Sequence, residues 1–415
     1  MSIYHSFRKK IEDTLFIWRE EMKLVFKDEG VLIFFIVVPL AYPLLYSWIY
    51  NNETVHEVPV AVVDDSHTAL SRQFLRMCDA SPDVQIAYYA QDLDEAKSLV
   101  SRQLVKGIYL IPSDFETNVY RMQRATISVY CDMSLMLTYK AIFQTAQLVS
   151  MEMGKEIQTK LGRHYTTREE AIAARPLNYA EVPIFNPSGG YGSFILPGVL
   201  MLILQQTLVL GIGLSAGTAR ERNRYKQLIP ISRPYQNAFR VVFGKSLCYF
   251  MIYAVMGAWL VMVVPKLFHF PQLAQWQPLL ELMLPYTLAC IFFGMVVSCM
   301  VKYRENVMLM MVFVSVPLLF LSGVSWPQSN ISGFWQGVSW VFPSTFGIKA
   351  YVRLNSMGAS ISDVSTEIHI LWLHAFVYFW LACVVYNYQV YLTRQDAIWR
   401  LKEIKDNKTK TVKKS

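Results

Sequence analysis

The residues closest to an enzymatic motif are Gly244, Lys245 and Ser246, in the string FRVVFGKS at 239–246. A phosphate-binding loop needs the pattern G-x-x-x-x-G-K-[ST] after a strand, so that backbone N–H groups surround the phosphates. Here Phe239 replaces the first glycine, and the string stands at the start of an apolar run. We therefore predict no nucleotide site, and we interpret Lys245 as a side chain that extends to the membrane surface.

Other catalytic patterns are missing from the sequence. It contains neither a Ser/His/Asp arrangement nor a Cys/His cluster with metal-ligand spacing. His369 and His374 stand five residues apart near the end of an apolar run, which is more typical of a membrane interface than of a metal site. We predict that the chain is not an enzyme and holds no catalytic residue, metal or cofactor of its own.

Two adjacent amides, Gln205 and Gln206, interrupt the apolar run LILQQTLVL. Neighbouring helical positions point about 100° apart, so at least one of the two should face protein or a cavity. Hydrogen bonding between helices and contact with a transported substrate are both open. The apolar runs carry no Asp, Glu, Lys or Arg near their middles. This argues against a secondary transporter driven by an ion gradient, because proton coupling normally needs such a carboxylate.

The elements that hold these residues are membrane spans. The chain has 415 residues, of which 53% are hydrophobic and 17% charged, against roughly 25% charged in a soluble domain. A span needs about 20 apolar residues. The first of the runs that qualify has no cleavage pattern after it, so we interpret it as a retained span and not a signal peptide. The six runs are 31–50, 194–216, 241–264, 282–301, 307–325 and 369–392.

The Lys and Arg residues indicate the orientation of the spans, because cytoplasmic loops carry an excess of both. The four segments on the side of the termini hold six, six, two and eight of them, whereas the two short loops on the other side hold one and two. Both termini are therefore predicted to be cytoplasmic. Since the cations are divided among membrane flanks, we interpret the pI near 9.0 as an attraction to anionic lipid and not as a sign of nucleic-acid binding. The segments are 1–30, 217–240, 302–306 and 393–415, and the loops are 265–281 and 326–368.

Residues 1–30 are predicted to form an amphipathic interface helix, since apolar residues recur there at steps of three and four among balanced charges. It could lie on the inner membrane surface, pack against a soluble partner, or do both. At the other end of the chain, 393–415 is a basic cytoplasmic tail.

The segment 51–193 is predicted to be an extracytoplasmic α/β domain. Strands at 58–65, 84–90, 107–112 and 127–132 alternate with helices at 67–79, 92–104 and 114–122. Ser66 and Ser113 are the predicted caps of the first and third helices, a long helix follows at 134–161, and TTREEA at 166–171 is a further capping pattern. Cys78 and Cys131 lie in this segment, and their spacing does not decide whether they form a disulfide.

After the fifth span, residues 326–354 are too short and too polar to cross the membrane, although they include several aromatic residues. We predict a re-entrant hairpin in the outer leaflet, which requires that protein or a cavity cover its backbone. An interfacial loop with aromatic anchors is the alternative.

Three long strings carry a resemblance to a known family: REEMKLVFKDEGVLIFFIVVPLAYPLLY at 19–46, the external segment 58–116, and ARERNRYKQLIPISRPYQNAFRVVFGKSL at 219–247. With the aromatic hairpin around Phe342 and Pro343, they resemble the membrane subunit of an ATP-binding-cassette exporter of the type-2 permease class. The resemblance implies an α-helical integral membrane protein. It would have six transmembrane helices and an α/β extracytoplasmic domain inserted between spans 1 and 2.

The resemblance also implies roles for particular residues. The cytoplasmic loop 217–240 would be the coupling element that docks into a separate ATPase subunit, although the charges could equally serve only to fix the topology. The chain has Asn223 to Lys226 where relatives often carry a Glu and a Gly-Thr pair, so the contact would use different residues. The implied coupling residues are Arg220, Glu221, Arg222, Leu228, Pro230 and Ser232, and those of the substrate path are Gln205, Gln206 and Phe342.

The partners follow from the same resemblance. It implies two copies of this chain, or one with a related permease chain, in the inner membrane of a bacterium, with a cytoplasmic ATPase dimer that binds ATP and magnesium. A periplasmic membrane-fusion adaptor and an outer-membrane channel would complete the path for an amphipathic or drug-like substrate. The alternative is a membrane-anchored sensor whose external domain binds a ligand, but the 23 residues of 393–415 are too few for a signalling domain.

Overall fold

The computed structural model describes residues 2–51, 53–121, 123–161, 184–186, 189–222, 228–230, 233–300 and 303–412. These residues belong to two compact units, Met1–Asn51 with Ile184–Ser415, and Asn52–Pro183. The first unit is helical, and the second contains a sheet. The chain is thus mostly helical with an α/β region, in agreement with the predicted mixture.

The helical unit begins with α1 (Ser2–Lys27), at the position of the predicted amphipathic helix, and α2 (Glu29–Ile49). One stripe of α1 is buried in the protein, with Ile17 and Val25 fully covered and Glu21 between them. Ile11 and Leu15, which belong to the predicted apolar face, remain exposed. The helix therefore has two apolar stripes, and only one of them packs on its own chain.

The sheet unit has four strands in the order β2-β1-β3-β4. The central strand β1 runs parallel to β2 and β3, whereas β4 pairs antiparallel with β3. Both faces of the central strand β1 are covered, so most of its side chains are buried. Each strand lies within one residue of its predicted ends: β1 is Val58–Asp64, β2 Val84–Tyr89, β3 Gly107–Ile111 and β4 Ser128–Cys131.

The predicted caps in this unit were wrong. The N–H of Ser66 donates to Asp64 Oδ1 at 3.1 Å, so the turn continues for two more residues and Thr68 caps the next helix in a capping box with Ser71. The third helix begins after Asp114, one residue beyond the predicted Ser113. The string TTREEA at 166–171 lies outside the described residues. The helices are α3 (Ala69–Asp79), α4 (Leu93–Ser101), α5 (Phe115–Tyr120) and α6 (Met136–Leu161).

Both cysteines of the sheet unit are free thiols. Burial raises the pKa of Cys78 to about 12 and that of Cys131 to about 11. Both groups are therefore protonated at neutral pH, which makes them poor nucleophiles for thiol exchange.

The helical unit resumes after the sheet. Six helices of the described chain are long and apolar enough to cross a membrane, and each overlaps one of the six predicted runs: Glu29–Ile49, Tyr191–Glu221, Ala238–Leu267, Trp276–Met300, Arg304–Leu321 and Ser365–Gln395. The helices of this part are α7 (Tyr191–Arg222), α8 (Ala238–Leu267), α9 (Trp276–Met300), α10 (Arg304–Leu321), α11 (Gly333–Ser339), α12 (Pro343–Met357) and α13 (Ser365–Val412).

Two of these helices contain a turn of π-helix, at Ile33–Val37 in α2 and at Trp259–Val263 in α8. Each π-turn ends two residues before a proline, Pro39 and Pro265 respectively. Because proline has no N–H and its ring crowds the preceding turn, the hydrogen-bond ladder shifts there from i→i+4 to i→i+5.

The helix at the centre of the unit is α7. In its most apolar window 83% of the residues are buried, against 12% for α10 and 17% for α13. Beside α7, the close packing of α12 on α9 depends partly on Gly347 of α12, since a Cβ at that position would lie 2.3 Å from the ring of Tyr286 of α9. Most of the described residues in those windows of α10 and α13 are not buried.

Candidate functional site

The structure divides the predicted coupling residues between the end of α7 and the segment that follows. The helix continues to Arg222, so residues 217–222 are helical and the predicted loop is shorter than 217–240. Arg220 is buried, and its Nη2 donates to the carbonyl oxygen of Cys299 at 3.2 Å. A cation at the last carbonyls of α9 interacts favourably with the helix dipole. Arg220 therefore fastens the end of α7 to the end of α9.

The other members of the set differ in exposure. Glu221 is exposed, and the side chain of Arg222 lies outside the described residues. Leu228 is buried beside Ile229, whereas Pro230 is exposed. Ser232 also lies outside the described residues. Of the six residues, the structure thus makes Glu221 and Pro230 available to a partner.

A buried polar cluster that the sequence did not reveal lies close by, around Glu21 of α1. Lys245 Nζ of α8 lies 2.8 Å from Glu21 Oε2, and both side chains are 5% exposed. Ser215 of α7 donates its hydroxyl to Glu21 Oε1 at 2.8 Å, and the Tyr249 hydroxyl donates to the same oxygen. The interpretation of Lys245 as a side chain that reaches the surface was wrong, because Glu21 holds it inside the protein.

The electrostatics of this cluster favour an ionised Glu21. Burial alone would raise its pKa, but the charge of Lys245 and the hydrogen bonds from Lys245, Tyr249 and Ser215 outweigh burial and hold the pKa below the ordinary value. An ion pair at this depth is only stable when its remaining hydrogen-bonding capacity is satisfied. The hydroxyls of Tyr249 and Ser215 donate the hydrogen bonds that the Glu21 carboxylate needs.

Asp28 makes a second attachment, one residue beyond the end of α1. Its Oδ1 accepts from the N–H of Gly30 at 3.0 Å and so caps α2, and Arg304 Nη2 of α10 lies 2.6 Å from the same oxygen. Its Oδ2 accepts from the Thr218 hydroxyl of α7 at 2.5 Å. Burial would raise the pKa of Asp28, but these bonds and the charge of Arg304 lower it overall. A Cβ at Gly30 would lie 2.3 Å from Arg304 Nη2, so glycine leaves the room that this contact needs.

A third carboxylate, that of Asp13 in α1, forms an ion pair with Arg240 of α8. The acids Asp13, Glu21 and Asp28 therefore contact cations on α8 and α10. Asp13 and Glu21 are eight residues apart, about two helical turns, which places them on one side of α1, and Asp28 follows seven residues later as the cap of α2. Recurrent acids at that spacing, aligned with Ile17 and Val25, were the signal in the sequence for this attachment.

A groove separates α1 from the segment after α7. Glu20, Lys23 and Lys27 form its α1 side, and Pro230 and Tyr235 lie on the other side. Lys23 and Glu20 are paired at 2.6 Å on the surface, where such a pair contributes little to stability. The groove thus joins a charged edge of α1 to the exposed part of the predicted coupling segment.

The predicted substrate-path residues lie around the start of α12. Gln205 of α7 is buried, and its Oε1 accepts from the N–H of Ser344 at 2.7 Å. Phe342 stands at the N-cap position without a capping side chain, so Gln205 supplies the missing acceptor from another helix. The Phe342 ring packs on Phe293 with centroids 5.8 Å apart. Gln206 differs, because neither its buried Oε1 nor its buried Nε2 has a hydrogen-bond partner among the described residues.

A family model described as "ABC-2 family transporter protein" matches residues 30–384, which include all six apolar helices or most of each. No curated protein matches the chain.

Proposed function

Because the chain belongs to the ABC-2 family of transporter proteins, we propose that it is the permease subunit of an exporter driven by a separate ATPase. ATP and magnesium would be bound by that ATPase, and this chain would provide the path through the membrane. The end of α7 supports the proposal, since buried polar contacts of Arg220, Ser215 and Thr218 attach this helix to its neighbours there.

The proposed topology has six spans with both termini in the cytoplasm and residues 51–193 on the outer side of a bacterial inner membrane. The distribution of Lys and Arg favours it. It puts the end of α7, the groove and the charged edge of α1 on the cytoplasmic side, where an ATPase could reach them. Cysteines introduced at Ser188 and Arg224 should accept an impermeant label from opposite sides, and labelling from one side would exclude this topology.

The observation that carries the coupling proposal is the attachment of α1 to α7, α8 and α10 through Glu21 and Asp28. An ATPase that pushed on α1 or on the exposed Glu221 and Pro230 would act on spans that are already joined by buried polar contacts. We propose that the groove receives part of the ATPase, and that its movement rocks these helices together.

The path for substrate would run beside Gln206 and Phe342. Burying an amide without a partner costs free energy, so Gln206 needs an acceptor and a donor from elsewhere. A second copy of the chain, water or the substrate itself could supply them. The position of Gln205 near the middle of α7 also favours a re-entrant form for 326–354, because it brings the start of α12 to that depth.

A complex of this chain with an ABC ATPase tests the coupling proposal. We expect Glu221→Ala combined with Arg222→Ala to leave expression and self-association unchanged but to weaken ATPase binding about tenfold or more, as loss of a charge-assisted contact would. Membrane orientation is checked in parallel by the cysteine labels. If the double variant binds the ATPase and stimulates hydrolysis as the natural chain does, the coupling role of these two residues is refuted.

The remaining parts of the proposal are a homodimer or a pair with a related permease, and an adaptor with an outer-membrane channel beyond the inner membrane. The largely exposed outer faces of α10 and α13 leave room for such contacts. Chemical cross-linking of the complex in membranes, followed by identification of the attached chains, tests each of them.

A further inference from the structure

A second cavity lies at the opposite end of α7 from the polar cluster. It is bounded by the start of α7, the residues after α10, the second half of α12 and the start of α13, and it contains Phe194, Val324, Lys349, Val352, Arg353 and Glu367. Neither Lys349 nor Arg353 takes part in the contacts described above. Lys349, Arg353 and Glu367 form a charged wall of the cavity, and Phe194, Val324 and Val352 form an apolar wall.

The charged wall carries more positive than negative charge. Lys349 and Arg353 are one helical turn apart on α12, so their side chains project on the same side. Arg353 Nη1 is paired with Glu367 Oε1 at 3.0 Å. Among the described residues no carboxylate lies within ion-pair distance of Lys349, whose ammonium approaches the ring of Phe346 at 5.9 Å. Two cations and one carboxylate leave one positive charge.

The carboxylate has an additional requirement. Glu367 is 14% exposed, and its Oε2 is buried without a hydrogen-bond partner in the described part of the chain. Such an oxygen needs a donor. A complementary ligand would therefore combine an anion for Lys349 and Arg353 with a hydroxyl or ammonium group for Glu367, and an apolar part for Phe194, Val324 and Val352.

We propose that this cavity binds the headgroup of an anionic glycerophospholipid whose headgroup bears hydroxyls, such as phosphatidylglycerol. The phosphodiester supplies one negative charge, which matches the single excess positive charge, and a glycerol hydroxyl supplies the donor for Glu367. Lys349 and Arg353 offer the charge-assisted contacts that phosphate oxygens prefer. The lipid source depends on the proposed membrane orientation, whereas the phosphate chemistry does not.

The experiment uses the full chain purified in a neutral detergent, without any ATPase, so that its failure is distinct from a failure of the exporter proposal. Short-chain phosphatidylglycerol, short-chain phosphatidylcholine and glycerol 3-phosphate are titrated separately, and the rise in unfolding temperature gives each Kd. We expect phosphatidylglycerol to bind at least about tenfold more tightly than phosphatidylcholine, which has no net charge and no headgroup donor.

Variants assign that preference to the cavity. Lys349→Met should weaken phosphatidylglycerol about tenfold, as loss of one charge-assisted contact would, whereas Lys349→Arg and the exposed control Lys266→Met should bind as the natural chain does. Arg353→Met leaves Glu367 without its ion pair and is less suitable. Glu367→Gln removes the negative charge and should strengthen glycerol 3-phosphate binding.

Other results would contradict the proposal in whole or in part. Equal affinity for the two lipids, or an unchanged affinity in Lys349→Met, would overturn the proposal. If glycerol 3-phosphate binds as tightly as phosphatidylglycerol and loses affinity in Lys349→Met, the lipid source is wrong and the site takes a free phosphate. The melting temperature of each variant without ligand shows whether it is folded.

Discussion

Replacement of Lys245 by methionine removes the charge that balances Glu21 while keeping most of the side-chain volume. Both side chains of the pair are 5% exposed, so water screens the loss very little. Removal of one partner from a buried pair typically costs about 3–5 kcal/mol, because the other charge is left without compensation. We expect Lys245→Met to lower the free energy of unfolding of the purified chain by that amount.

A double-mutant cycle separates the pair from other effects of the substitution. In Glu21→Gln the amide oxygen can still accept from Tyr249 and Ser215, so combining it with Lys245→Met removes the stranded charge and keeps those bonds. The double variant should recover at least about 2 kcal/mol of the loss. The control is Lys266→Met, an exposed lysine, which should change stability by less than about 0.5 kcal/mol.

The pH dependence of stability is an independent test of whether Glu21 is ionised in the folded chain. In the natural chain the pKa of Glu21 is below its ordinary value of 4.5, so the pair stabilises fully above about pH 4.5 and its contribution is lost as pH falls through the lower folded value. In Lys245→Met the charge and hydrogen bond of Lys245 no longer offset burial, so the pKa of Glu21 should rise. The penalty should then be largest at about pH 8 and shrink toward pH 5 as Glu21 takes up a proton.

The measurement is unfolding in a mixed-micelle denaturant series at both pH values, followed by tryptophan fluorescence. A loss below about 0.5 kcal/mol in Lys245→Met, or a penalty that grows on acidification, would show that Glu21 and Lys245 are not a buried ion pair.

Two further predictions concern the start of α12. Gln205→Leu removes the acceptor for the N–H of Ser344 and should cost about 1–2 kcal/mol, as loss of a helix cap does, whereas Gln206→Leu should cost less or stabilise, since its amide has no described partner; equal effects in unfolding experiments would contradict this difference. Gly347→Ala places a methyl group 2.3 Å from the ring of Tyr286 and should destabilise by about 1–3 kcal/mol, while Gly337→Ala, with open space around it, serves as the control; matching stabilities would refute the close approach.

The spans and strands could be predicted because their signals are local. A run such as 241–264 is apolar over enough residues to require a helix, and the strand at 58–64 combines β-branched residues with turn residues after it. The shift of the helix cap from Ser66 to Thr68 could not be anticipated in the same way. The position of the cap depends on which backbone N–H groups donate hydrogen bonds to Asp64, and residues of this composition are compatible with several turn types.

The polar cluster was missed because its members come from three distant parts of the sequence. Glu21 looked like one of many charges on an amphipathic helix, and Lys245 like a basic residue at a membrane flank. Only folding brings them together, and each then explains why the other can be buried. The predicted coupling residues include both buried and exposed side chains for a related reason. The density of charge along the sequence does not distinguish the buried Arg220 from the exposed Glu221.

The arrangement of contacts along α7 constrains how any movement of α1 could spread. Ser215 and Thr218, one turn apart, donate to two different carboxylates, so α1 and α7 can separate only by breaking two buried bonds and stranding their acceptors. Gln205 lies ten residues earlier on the same helix, roughly 15 Å away at 1.5 Å per residue, and holds the start of α12. A push on α1 should therefore move α1, α7 and the start of α12 together as one body, because any independent motion exposes unpaired polar groups in an apolar interior.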